Sequence, residues 1–99
     1  MKKRYLDGKN SMEYHKVKII IKNNSGLHAR PCSAFVKTAN SFESKIKVIK
    51  GNNSVDGKSI LGLLTLAAAF GDKITIEASG PDAKKAVVAL EKVAITKFD

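Results

Sequence analysis

The chain has no tryptophan, a single cysteine, two prolines and nine acidic residues against eighteen basic ones in 99 positions. Each shortage excludes something. One cysteine, Cys32, cannot build a disulfide framework, which fits a reducing, cytoplasmic setting. No apolar run approaches the roughly 20 residues that cross a bilayer, so the chain is not expected to be membrane-embedded. The basic opening MKKRYLDGKNS is followed by no uninterrupted apolar stretch and is not a signal peptide. No paired carboxylates stand out for acid–base work. His28 and Cys32 are four apart, but no second pair of ligands accompanies them, so neither metal nor cofactor is expected. Repeats, low-complexity tracts and internal linkers are absent.

What is present is basic charge and clean periodicity. The net charge is +9, of which residues 1–11 supply +3 (Lys2, Lys3, Arg4 and Lys9 against Asp7) and the rest +6. Such a field favours acidic partners or anionic surfaces at long range, although most individual lysines read as solvated faces of strands and helices. A hydrophobic share of 43% supports one modest core and therefore one domain.

Residues 1–13 show no period and read as a flexible N-terminal extension, leaving 14–99 as the folded domain; Met12 is a candidate initiator, and both tyrosines precede the first strand. From His15 to Lys22 the pattern alternates, with Val17, Ile19 and Ile21 on one face of a half-buried strand. Cys32, Phe35, Val36 and Ala39 then form one apolar helical stripe. Ile46 and Val48 mark a second strand over Lys45–Lys50. Gly51-Asn52-Asn53 turns the chain into a short third strand ending near Val55. Gly57-Lys58-Ser59 opens a second helix with Ser59 as its cap and Ile60, Leu63, Leu64 and Ala67 as its core stripe. Ile74, Ile76 and Ala78 alternate in a fourth strand. Gly80-Pro81-Asp82 caps a last helix in which Ala83, Ala86, Val87, Leu90, Val93 and Ala94 keep the 3.6 period. No strand is apolar throughout, so the sheet is covered on one face only. The order β-α-β-β-α-β-α predicts an α+β open-faced sandwich with helices on one side.

The chemistry concentrates in Gly26-Leu-His-Ala-Arg-Pro31, which puts His28 where a loop becomes a helix. Pro31 suits the first turn, whose N–H groups lack intrahelical partners. The free N–H groups and the positive end of the helix dipole make that start suited to phosphate. The segment GLHARPCSAFVKTA (26–39) resembles the active-site motif of the histidine-containing phosphocarrier (HPr) family of the bacterial sugar phosphotransferase system. Gly57-Lys-Ser-Ile-Leu-Gly-Leu-Leu-Thr-Leu66 resembles the same family's regulatory serine region, and Gly80-Pro-Asp-Ala-Lys-Lys-Ala-Val87 the start of its last helix. The resemblance runs from about residue 16 to the C-terminus, in the family's order and spacing.

That resemblance implies a four-stranded antiparallel sheet under three helices. It also implies a carrier rather than a stand-alone enzyme: Enzyme I passes a phosphoryl group to His28, and His28 passes it to IIA components. Arg30 acts with His28, and Ser25, Ala29 and Arg30 bind the phosphate. A neutral imidazole is the nucleophile, and both the helix start and Arg30 disfavour the protonated ring. After transfer the same groups stabilise about two added negative charges. Ser59 is implied as the site of HPr kinase/phosphorylase, and as a helix cap it tolerates a phosphate. Ala29, Ser33, Lys37, Lys58, Leu61 and Thr65 form the implied docking patch, with Leu61 off the core stripe at its centre. Cys32 departs from the family's usual alanine and reads as a small buried thiol. The chain is expected to be a monomer.

Two rival readings differ in class. A regulatory HPr-like paralogue, in a nitrogen-related or carbon-regulation phosphorelay, would share the motifs; a version that only signals often lacks the histidine. A small basic nucleic-acid-binding domain would need stacking aromatics on the open sheet face. Here Phe35, Phe42, Phe70 and Phe98 fall in helices or just beyond them, so no nucleic-acid partner is expected.

Overall fold

Alternating side chains set the sheet, and the computed structural model shows it for the residues it describes, 12–21, 29–66 and 71–95. The elements are β1 (Glu13–Ile20), α1 (Ala29–Ala39), β2 (Lys45–Lys50), β3 (Asn53–Asp56), α2 (Ile60–Leu66), β4 (Lys73–Gly80) and α3 (Ala83–Ile95). The four strands pair antiparallel in the order β1-β4-β2-β3. The predicted element order and open-faced architecture are therefore the observed ones. Residues 1–11 of the predicted extension lie outside the described residues.

Register turns the alternation into rows that cross the sheet. Val17, Ile76, Val48 and Val55 pair across all four strands and face the helices. The next row, Lys16, Glu77, Lys47 and Asp56, faces the other way and alternates in sign from strand to strand. Opposite charges on neighbouring strands favour this register, by roughly 0.2–1 kcal/mol per pair. One face is thus apolar and covered, the other charged and open.

The helices cover the apolar face side by side. α3 lies on β1 and β4, α1 packs between α3 and α2, and α2 lies over β3 and the end of β2. Phe35, Leu63, Ile74, Ile76 and Leu90 are fully buried between the layers. Each such side chain contributes about 1.5–3 kcal/mol by leaving water.

Two expectations need correction. The stripe Ile60, Leu63, Leu64 and Ala67 is not the buried face of α2. Leu63 and Leu66 are buried, whereas Ile60 is 41% and Leu64 39% exposed; Ala67 lies outside the described residues. The rotation of α2 is set just before it, where the Gly57 N–H donates to the Ile46 carbonyl at 2.8 Å. A Cβ on Gly57 would run into the Ile46 side chain, so only glycine allows this approach. A two-turn helix at the edge of its layer then buries a narrow i, i+3 face.

The second correction concerns Tyr14. It lies within β1 rather than ahead of it, and its phenol donates to Glu77, which holds the tyrosine pKa up. The strand starts early because Glu13 pairs with Gly80 and its carboxylate accepts the Lys84 N–H at 3.3 Å, near the start of α3. One aromatic ring therefore does stand on the open face.

Candidate functional site

α1 begins at Ala29, the residue after His28, and Pro31 sits buried in its first turn. The helix carries no acidic residue in that turn, so no carboxylate of its own competes for the free N–H groups. Cys32, Phe35, Val36 and Ala39 are buried together and fix the helix on the sheet, the stripe the sequence predicts. Burial pushes the Cys32 thiol pKa up, as expected of an inert core thiol. Ser25 and His28 lie outside the described residues, and Ala29 and Arg30 are described as the first two residues of α1.

The second motif is defined at atomic detail. The Asp56 carboxylate accepts the Lys58 N–H at 2.9 Å and the Asp56 carbonyl accepts the Ser59 N–H at 3.1 Å. That turn delivers Ser59 to the cap position, where its Oγ accepts the Gly62 N–H at 3.0 Å. The predicted cap is the observed one. Thr65 Oγ1 donates to the Gly62 carbonyl at 2.7 Å.

Of the docking residues, Ser33 and Lys37 are exposed one turn apart on α1. Leu61, 73% exposed, and Thr65 are one turn apart on α2, which packs against α1. Lys58 is half-buried, and its ammonium donates to the Phe42 carbonyl at 2.8 Å beyond the end of α1. It ties the two helix-bearing loops together as well as adding charge. Sequence reasoning missed Ile60 and Leu64, which extend the apolar surface around Leu61. The signal was available: ILGLLTL is too apolar for a two-turn helix to bury on one face.

A second polar cluster, also unforeseen, holds the far side of the layer. The Asp82 carboxylate accepts Glu43 N–H and Ser44 N–H, both at 3.0 Å, and the hydroxyl of buried Ser44 at 2.5 Å. The Ser44 hydroxyl, with the two backbone donors, holds the Asp82 carboxyl below its usual pKa. Asp82 caps α3 only through its carbonyl, which accepts the Ala86 N–H at 3.0 Å.

Among the described residues no three His, Cys, Asp or Glu side chains gather as metal ligands, and no helix is long and apolar enough to cross a membrane. The fold and the helix start define a small open-faced α+β domain suited to handling a phosphoryl group. A family model described as "PTS HPr component phosphorylation site" matches residues 15–95. The chain is 47% identical over 75 residues to the phosphocarrier protein HPr of Neisseria meningitidis serogroup A, covering 76% of this chain and 84% of that one. It is 40% identical over 77 residues to the HPr-like protein Crh of Bacillus subtilis, covering 78% and 87%. The crystal structure of HPr from Thermoanaerobacter tengcongensis superposes with a TM-score of 0.78 at 42% identity, covering 81% of this chain and 90% of that chain. The chain belongs to the HPr family, the phosphocarriers of the phosphotransferase system.

Proposed function

We propose that this protein accepts a phosphoryl group on His28 from Enzyme I and passes it to IIA components of sugar-uptake systems. The observation that carries the reading is the start of α1 directly after His28, in a first turn without carboxylates. In the first transfer the P–N bond to the donor histidine of Enzyme I breaks as a P–N bond to His28 Nδ1 forms; in the second the bond to His28 Nδ1 breaks as the IIA acceptor bonds the phosphorus. Little acid–base machinery is needed, because phosphoryl transfer rests mainly on positioning and charge stabilisation. Arg30, Ser25 and the helix start stabilise the added charge. Leu61, with Ile60 and Leu64 beside it, forms the apolar centre of the docking patch, and Lys37 its cationic rim.

Ser59 supports a second, regulatory reading. It is a half-buried cap whose hydroxyl carries a single described hydrogen bond, and a relative at 40% identity is an HPr-like protein. A phosphate on a helix cap changes charge beside Leu61 without breaking α2. Its effect falls on docking.

Intact mass after incubation with phosphoenolpyruvate and Enzyme I tests the main reading. The wild type gains one acid-labile phosphate and His28→Ala gains none. A folded wild type that stays unmodified with the matching Enzyme I overturns it in favour of the regulatory role.

A further inference from the structure

On the side of α1 away from α2, the surface between α1 and α3 forms a groove of about 580 Å³. Its floor is apolar: Val88, 48% exposed, with Ala89 and Val93 from α3, walled by Thr38 of α1. Its rim is Lys84, Lys85 and Lys92, and no carboxylate is among its lining residues. This contrasts with the open sheet face, where Glu77 and Asp56 alternate with Lys16 and Lys47.

The placement of two of these lysines does not serve the helix. Lys84 and Lys85 stand in the first turn of α3, at the positive end of its dipole, where a cation is unfavourable. Lys84, Val88 and Lys92 follow one line along the helix and span about 12 Å. Lysine stems widen an apolar floor while their ammonium groups stay in water.

We infer that this groove docks an acidic amphipathic helix of a partner protein. Its apolar stripe lies on Val88, Ala89 and Val93, and its carboxylates reach Lys84 and Lys85. Charge selects this occupant. Residues 1–11 carry +3 and a second copy carries +9, so both are repelled. A nucleic acid would meet aliphatic side chains with no ring to stack on. The groove lies across α1 from α2, so the partner can bind while the α1–α2 surface is engaged elsewhere.

The test uses the ¹⁵N-labelled full chain and a synthetic 14-residue helical peptide with one leucine stripe flanked by glutamates. Saturable binding is expected, with amide shifts centred on Thr38, Val88, Ala89 and Val93. Lys84→Glu/Lys85→Glu and Val88→Asp each weaken it about tenfold or more, whereas Lys16→Glu/Lys18→Glu on the open face changes it less than about twofold. Amide spectra of each variant establish that it is folded. His28→Ala binds the peptide as the wild type does, so the outcome is separate from the phosphocarrier reading. Several results would overturn the inference: equal binding of a scrambled peptide, shifts centred on the open face, or unchanged affinity in the groove variants. So would concentration-dependent groove shifts without peptide, which indicate a second copy, or a single-stranded oligonucleotide occupying the same residues.

Discussion

At the scale of single residues, the contact between Ser44 and the start of α3 concentrates the most constraint. Gly80 has φ +153°, and a Cβ there would lie 2.6 Å from both the Cα and the Oγ of Ser44. Gly80→Ala is therefore expected to cost roughly 3 kcal/mol or more, since both backbone and neighbour must move. Gly51 makes the control: its φ is +60° but nothing lies within 4 Å, so Gly51→Ala should cost only about 1–2 kcal/mol. Denaturant unfolding compares the two, and equal losses would refute the steric argument. Asp82 adds a pH dependence. Its carboxyl is held below its usual pKa in the folded state, so its contribution is present above the ordinary carboxylate range and fades as pH falls through the folded value. Asp82→Asn should lower stability at pH 7 by about 1–2 kcal/mol, the modest end for bonds to a charged group that solvent partly screens. The gap between wild type and variant should close once pH falls below that folded value. A gap that persists there would mean that shape, not charge, makes the contact.

At the scale of elements, the strands were legible and the helix rotations less so. Each strand buries one face, so Ile46, Val48, Ile74, Ile76 and Ala78 announce their orientation by alternation alone. α1 and α3 are long enough for their stripes to average into a clear direction. α2 is not: with Ile60, Leu61, Leu63, Leu64 and Leu66 in seven residues, two rotations fit the pattern equally. The approach of Gly57 to Ile46 decides between them, and that is a contact between β3–α2 and β2. For the same reason the Ser59 cap was readable, being local, whereas Asp82 to Ser44 and Glu13 to Lys84 were not, joining residues 38 and 71 apart. The histidine site was read from its motif, and Ser25 and His28 stand beyond the described residues. The rotation of α2 separates two variants sharply. Leu63→Ala, which empties a fully buried position, should cost about 2–5 kcal/mol. Leu61→Asp should change stability by less than about 0.5 kcal/mol yet slow phosphoryl transfer from Enzyme I. Unchanged single-turnover kinetics in Leu61→Asp would remove the docking patch from the mechanism.

At the scale of the molecule, the question is what a charge of +9 does for a domain of 99 residues. It is not needed for the fold, since like charges at this density oppose compaction. Part of it is neutralised locally, by the alternating row on the open sheet and by the Lys50–Asp72 pair at 3.1 Å. The alternating row does not extend to α1 and α3, where Lys37, Lys84 and Lys85 are exposed. A surplus of this kind acts before contact, by raising the rate at which an acidic partner arrives in register, and long-range attraction weakens once the screening length falls below about 10 Å. Transfer from Enzyme I should therefore be steeply salt-dependent in its second-order rate constant, falling about tenfold between roughly 0.03 and 0.3 M salt. The rate within the preformed complex, read at saturating protein, should stay within about twofold, because the bond exchange itself occurs where bulk ions do not reach. Rapid-quench kinetics over protein concentration separates the two. A second-order constant indifferent to salt would mean that the charge serves some other surface, with the α1–α3 groove the first place to look.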